Sequence, residues 1–199
     1  MKDETNDKQS RLLDNAFKLF TQKGVKDTSI QEIVDNADVA KGTFYIYFKD
    51  KYEIRDILIE SKSKKLFNNA LKNLRKTNIT ELSEQVIFIV DDVINELVKN
   101  PLLLKFISKN LSWGVFSQVL QKVYEKNNNE NEENGILVLF KKGIAENNLK
   151  VENPEVTLHM IIELVSSTCF NSIIYEIPLP IEEYKPYLYN TIRMLINQN

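Results

Sequence analysis

Apolar residues recur along the chain with helical spacing. Leu13, Ala16, Phe17 and Phe20 fall at i, i+3, i+4 and i+7, with Lys18 and Lys23 off that line, which predicts an amphipathic first helix. Gly24 is placed to cap it in the left-handed conformation, with Val25 packing back on the last turn. Ser29-Ile30-Gln31-Glu32 has the spacing of a capping box, and Ile30, Ile33, Val34 and Ala37 give the helix that follows an apolar side. A third helix starts within about two residues of Ala37-Asp38, so the turn between them is tight. On it, Ala40, Phe44 and Phe48 share one face, while Gly42 and Ile46 lie opposite, flanked by Thr43 and Tyr45. Ile46 is therefore expected to point outward.

Asp50-Lys51-Tyr52-Glu53 repeats the capping-box spacing and opens a long fourth helix reaching about Arg75. Further helices are predicted over Leu82 to Val98, from Asn100-Pro101 to about Lys126, over Gly135 to Asn147, over Glu155 to Tyr175 and over Ile181 to Asn197. The run Lys126 to Asn134 has no apolar residue and reads as a solvated loop. The sum is an all-α chain of about nine helices. Residues 1–50 are expected to form a three-helix helix-turn-helix domain, a helix of about 51–75 to link it onward, and 51–199 to form a second helical domain.

Composition narrows the function. Of 199 residues 43% are hydrophobic and 27% charged, with only five glycines and five prolines, which suits a packed helical core and not a turn-rich β fold. A single cysteine, Cys169, excludes an intramolecular disulfide, and with a single histidine, His159, the usual zinc ligand sets cannot be assembled. No metal or cofactor is expected, a carboxylate-only site for a hard cation being the one alternative left open. The polar N-terminus and the lack of any long uncharged apolar run predict neither signal peptide nor membrane span, hence a cytoplasmic protein. Net charge is −2, which argues against nonspecific coating of nucleic acid but leaves room for a local site.

Such a site is indicated by the second and third helices. Their tight crossing would leave one face of the third helix proud, and the major groove of B-DNA admits a helix. Ala37, Val39 and Phe44 supply the crossing, while Thr43, Tyr45, Ile46 and Tyr47 remain outside. An isoleucine facing water gains nothing, whereas against a thymine methyl it makes a base-selective contact.

The stretch Leu12 to Ile59 resembles the N-terminal domain of TetR-family transcriptional regulators. The resemblance runs through Phe20 and Gly24, the Thr28-Ser29 start of the second helix, the VAKGTFYIYF stretch of the third, and the FKDK opening of the fourth. It implies that Lys41, Tyr47 and Lys51 hold phosphates, that Thr28 and Ser29 present amides of the second helix to another phosphate, and that Gly42, Thr43, Tyr45 and Ile46 face base edges. Asp38 stands where the family usually has glycine, Ala40 where it has a serine cap, and Val34 where it has a small residue. Residues 1–62 hold 11 basic and 12 acidic side chains, so binding would depend on a few placed lysines.

The resemblance further implies a homodimer on an inverted-repeat operator and a C-terminal domain enclosing a small-molecule effector, with release of a repressor as the mechanism. The last two helices are the expected dimer surface, through Tyr184, Tyr187, Leu188, Thr191, Ile192 and Leu195 on one and Met160, Ile161, Leu164, Val165, Thr168, Cys169 and Ser172 on the other. Candidate effector residues are Phe88, Phe106, Trp113, Phe116, Tyr124 and Phe140, with His159 and Glu163 one turn apart for a polar group. Two alternatives compete. One is a DNA-bound adaptor whose second domain recognises a protein. The other is an enzyme, which the sequence does not support: His159 and Cys169, ten residues apart, would sit ~15 Å apart along a helix, too far for a dyad.

Overall fold

The structure is a computed structural model that describes residues 2–108 and 136–197. Among the described residues there are nine helices and no strand. In chain order they are α1 (Lys2–Lys23), α2 (Ile30–Ala37), α3 (Lys41–Tyr47), α4 (Lys51–Leu74), α5 (Leu82–Lys99), α6 (Pro101–Ile107), α7 (Ile136–Glu146), α8 (Pro154–Tyr175) and α9 (Ile181–Ile196). The chain divides into two compact units, 1–62 and 63–199, and the division falls inside α4. The predicted extension of the sixth helix to Lys126, the loop at 126–134, and Trp113, Phe116 and Tyr124 lie outside the described residues.

In the first unit α1 packs on α2 and α2 on α3. Leu12, Ala16 and Phe20 are the buried line of α1, and Leu13 and Phe17 are only partly covered. The core side is thus rotated by about one residue from the sequence expectation. Ile33, Val34, Ala37, Phe44, Phe48, Ile54 and Leu58 complete this core. Gly24 takes φ +87° and donates its amide to Phe20 O at 3.0 Å, ending α1 as the sequence predicts.

In the second unit α5 contacts α6, α7, α8 and α9. Asn100 caps α6 by accepting from the Leu103 amide at 3.1 Å, with Pro101 at the first helical position. Gly143 on α7 lets that helix approach Leu82 closely: a Cβ there would lie 2.5 Å from Leu82 Cδ1. Helix α8 is, by length and composition, apolar and long enough to cross a membrane; the core helix of a globular unit passes the same test. Leu158, Ile161, Ile162, Val165 and Cys169 on it are buried against neighbouring helices.

The buried line of α9 is Ile181, Lys185, Leu188, Ile192 and Ile196. Tyr187, named for the dimer surface, is exposed. Lys185 is 8% exposed because its ammonium is satisfied by Asn95 Oδ1 at 2.8 Å, Asp91 Oδ1 at 3.1 Å and Glu182 Oε1 at 2.9 Å. Tyr189 donates its hydroxyl to the same Asp91 oxygen at 2.5 Å, and Arg193 forks onto Glu84 at 2.6 and 3.2 Å. A row of polar contacts therefore fixes α9 on α5. Burial pushes the Cys169 thiol up to about 12, so it is an inert core group.

Candidate nucleic-acid interface

The start of α2 is fixed by its own side chains. Glu32 N–H donates to Ser29 Oγ at 3.2 Å, and Glu32 Oε2 accepts from the Ser29 amide at 2.9 Å, which closes the capping box. Lys23 pairs with the other carboxylate oxygen of Glu32. The Lys23 ammonium, then the Ser29 amide and hydroxyl, hold the Glu32 carboxyl down at about 2, below its usual 4.5. A carboxylate whose folded value is depressed stabilises above the usual value and loses that contribution as pH falls from about 4.5 toward 2. Glu32→Gln is therefore expected to melt lower at neutral pH and to lose less between those two pH values than the parent. Equal acid sensitivity of the two proteins, followed by circular dichroism, would count against the assignment.

At its other end α2 stops at Asp38, which takes the left-handed conformation at φ 53° and ψ 54°. Aspartate tolerates that region better than most residues, so the position usually held by glycine keeps its geometry. Two residues later Ala40 opens α3 without a side-chain cap, and its carbonyl accepts from Thr43 N–H at 2.9 Å. Phe44 is fully buried and Phe48 nearly so, their rings 5.7 Å apart. These two rings fix the inner side of α3 and thereby decide which side faces out.

The outer side carries Lys41, Gly42, Tyr45 and Ile46, all exposed, with Thr43 and Tyr47 half-buried beside them. Ile46 is 75% exposed and Tyr45 55%. Tyr45 is braced edge-on against Phe44 at 5.3 Å. A Cβ added to Gly42 would meet nothing within 4 Å, so the space above it is open.

Two of the residues named for phosphate contact are differently placed. Thr28 is 1% exposed: its hydroxyl donates to Gly24 O at 2.8 Å and its amide to Val25 O at 3.4 Å. With the Ser29 amide held by Glu32, the first-turn donors of α2 without an acceptor inside the helix are those of Ile30 and Gln31, two residues further on than the expected Thr28 and Ser29. Lys51 is half-buried, and its ammonium donates to Lys26 O and Thr28 O, both at 2.8 Å. Asp50 caps α4 as the sequence suggests, accepting from Tyr52 and Glu53 at 2.8 and 2.9 Å, but Glu53 reaches back to the Lys49 amide, not to its own cap residue.

Sequence reasoning also missed Arg11. From α1 its Nη1 donates to Ala37 O at 3.0 Å, at the end of α2, and its Nε lies 3.2 Å from Asp7 Oδ2. No local pattern marks it, since its partner lies 26 residues away.

Residues 12–56 match the family described as bacterial regulatory proteins, tetR family. The match covers 45 of the 199 residues and lies wholly within the first unit. The uncharacterized HTH-type transcriptional regulator YuxN of Bacillus subtilis is 47% identical over 45 residues, 23% of this chain and only 16% of its own length. The uncharacterized HTH-type regulator YhgD of the same organism is 26% identical over 171 residues, covering 83% of this chain and 84% of its own. The all-α fold is shared with the transcriptional regulator FadR of Bacillus subtilis in complex with stearoyl-CoA, at a TM-score of 0.66 and 15% identity, covering 96% of this chain and 99% of that one. A helix-turn-helix domain of this family is a DNA-binding regulatory module.

The residues named for an effector are not gathered among the described residues. Phe140 is fully buried in the core, Phe88 and Phe106 pack partly buried against it, and His159 and Glu163 are exposed on α8. A cavity of about 10 Å3 lies among Phe67, Val86, Val90, Val93, Ile136, Leu158, Ile161, Ile162 and Val165, and none of those five borders it. Its walls are wholly apolar, with room for about one water-sized sphere.

Proposed function

We propose that the chain is a sequence-specific transcriptional regulator that places the outer face of α3 in the major groove of an inverted-repeat operator. The observation that carries this reading is the division of α3. Phe44 and Phe48 anchor one side, while Ile46, Tyr45 and an unobstructed Gly42 stand clear on the other. In this arrangement Gly42 lets the helix backbone approach the groove floor, Thr43, Tyr45 and Ile46 face base edges, and Ile46 meets a thymine methyl. Lys41, Tyr47 and the amides at the start of α2, next to Ser29, hold phosphates.

Two copies would pair through α8 and α9, where Met160, Tyr187 and Met194 are exposed beside the buried lines of the same helices. A homodimer supplies two reading helices at a fixed spacing, ~34 Å for half-sites one turn apart. Effector-controlled release of a repressor is supported by the stearoyl-CoA complex of the FadR neighbour and by the apolar walls between α4, α5, α7 and α8.

In-vitro selection from a random duplex library tests the proposal. The expected result is an enriched inverted repeat bound by two chains. An unpatterned pool, or binding that does not distinguish it from the starting library, would overturn it.

A further inference from the structure

Helix α2 carries α3 through a turn of three residues, so the angle at which α3 stands depends on how both ends of α2 are held. Each end is held by a cation from a different helix. At the start, Lys51, the first residue of α4, donates to Lys26 O and Thr28 O, the carbonyls just before the Ser29 cap. At the finish, Arg11 of α1 donates to Ala37 O. That carbonyl belongs to a helix end whose last acceptors have no helical donor, and the end of a helix dipole favours a positive charge. With two of its three donors so engaged, Lys51 is a poor match for a solvated phosphate contact.

We infer that Arg11 and Lys51 are positioning residues: they clamp the two ends of α2, and support operator binding through the alignment of α3 and not by neutralising phosphate. This rests on the DNA-reading function proposed above, and the unmodified protein serves as its separate check. If the parent protein shows no preference for its selected duplex over random duplex, the DNA-reading proposal fails, whatever the variants do.

The distinction is measurable because each phosphate neutralised contributes ~0.9 to the slope of log K against log salt. Arg11→Gln and Lys51→Gln remove a charge but keep a donor amide, and Lys51→Arg keeps both. Clamping predicts that the two glutamine variants, assayed well below their melting temperatures, lose about tenfold in preference for the selected duplex over random duplex. Their salt slope should equal that of the parent, and Lys51→Arg should restore the preference. Lys41→Gln provides the contrast, a slope shallower by ~0.9. A residue that merely stabilises the fold would lower the melting temperature without moving the preference. A shallower slope for Lys51→Gln with its preference intact would overturn the assignment.

A second measurement needs no variant and so does not depend on folding. Under limited acetylation read by mass spectrometry, Lys51 should react slowly in the free protein and gain no protection from bound duplex, while Lys41 gains it. A Lys51 that reacts readily alone and is protected by DNA would contradict the clamp.

Discussion

Gly42→Leu is expected to leave the fold intact and to abolish operator binding. No atom lies within 4 Å of a Cβ at this position, so the larger side chain meets only solvent in the free protein. Glycine also weakens a helix interior by ~0.5–1 kcal/mol relative to alanine, so the melting temperature should hold or rise slightly. In the groove the situation reverses. A branched side chain on the surface facing the bases would push the helix outward and break the contacts of its neighbours together. A loss of more than ~100-fold in affinity follows if ~3 kcal/mol of contact is removed. Melting by circular dichroism and titration of a labelled duplex separate the two effects. Full affinity in a folded Gly42→Leu protein would mean that this face does not approach DNA.

Phe44→Ala is expected to fail in the opposite manner. Phe44 is fully buried between Tyr45 and Phe48, and truncating a buried phenylalanine costs ~3–5 kcal/mol through lost burial and the cavity left behind. That is a large part of the stability of an ordinary domain. Helix α3 has seven residues, too few to persist without packing, so it should melt first. DNA binding would then fall together with helicity, and low temperature should recover part of both. Loss of binding with the melting profile of the parent would move Phe44 from the core to the interface.

These two neighbours on one short helix also show what could be read from the sequence. Alternation of faces is local information: Phe44 and Phe48 one turn apart predict the inner side, and Ile46 outward follows by counting. The capping residues Ser29, Glu32 and Asn100 are local too, and they mark helix starts at the positions observed. The partners of Lys51 and Arg11 lie 23 to 26 residues away, so no local pattern marks Arg11, and Lys51 is read through the family resemblance as a phosphate ligand.

Lys185 shows a signal that was present but overlooked. Ile181, Lys185, Leu188 and Ile192 share the i, i+4, i+7, i+11 register, so a lysine sits within a buried line and needs partners. Those partners, Asp91 and Asn95, lie some 90 residues away, and only the packing of α9 on α5 brings them there. For the effector candidates the difficulty is of another kind. Aromatic residues at helical spacing show that a surface is buried, not whether protein or ligand covers it, and Phe140 proves to be covered by protein.

Contact between the exposed Ile46 of α3 and DNA bases is tested most directly by parallel selections with the parent protein and Ile46→Ala. The predicted result is one inverted repeat from both, with preference at a single symmetry-related thymine position weakened by ~1 kcal/mol or more in the variant and the other positions unchanged. Identical base preferences from the two proteins, or a uniform loss at every position, would contradict it.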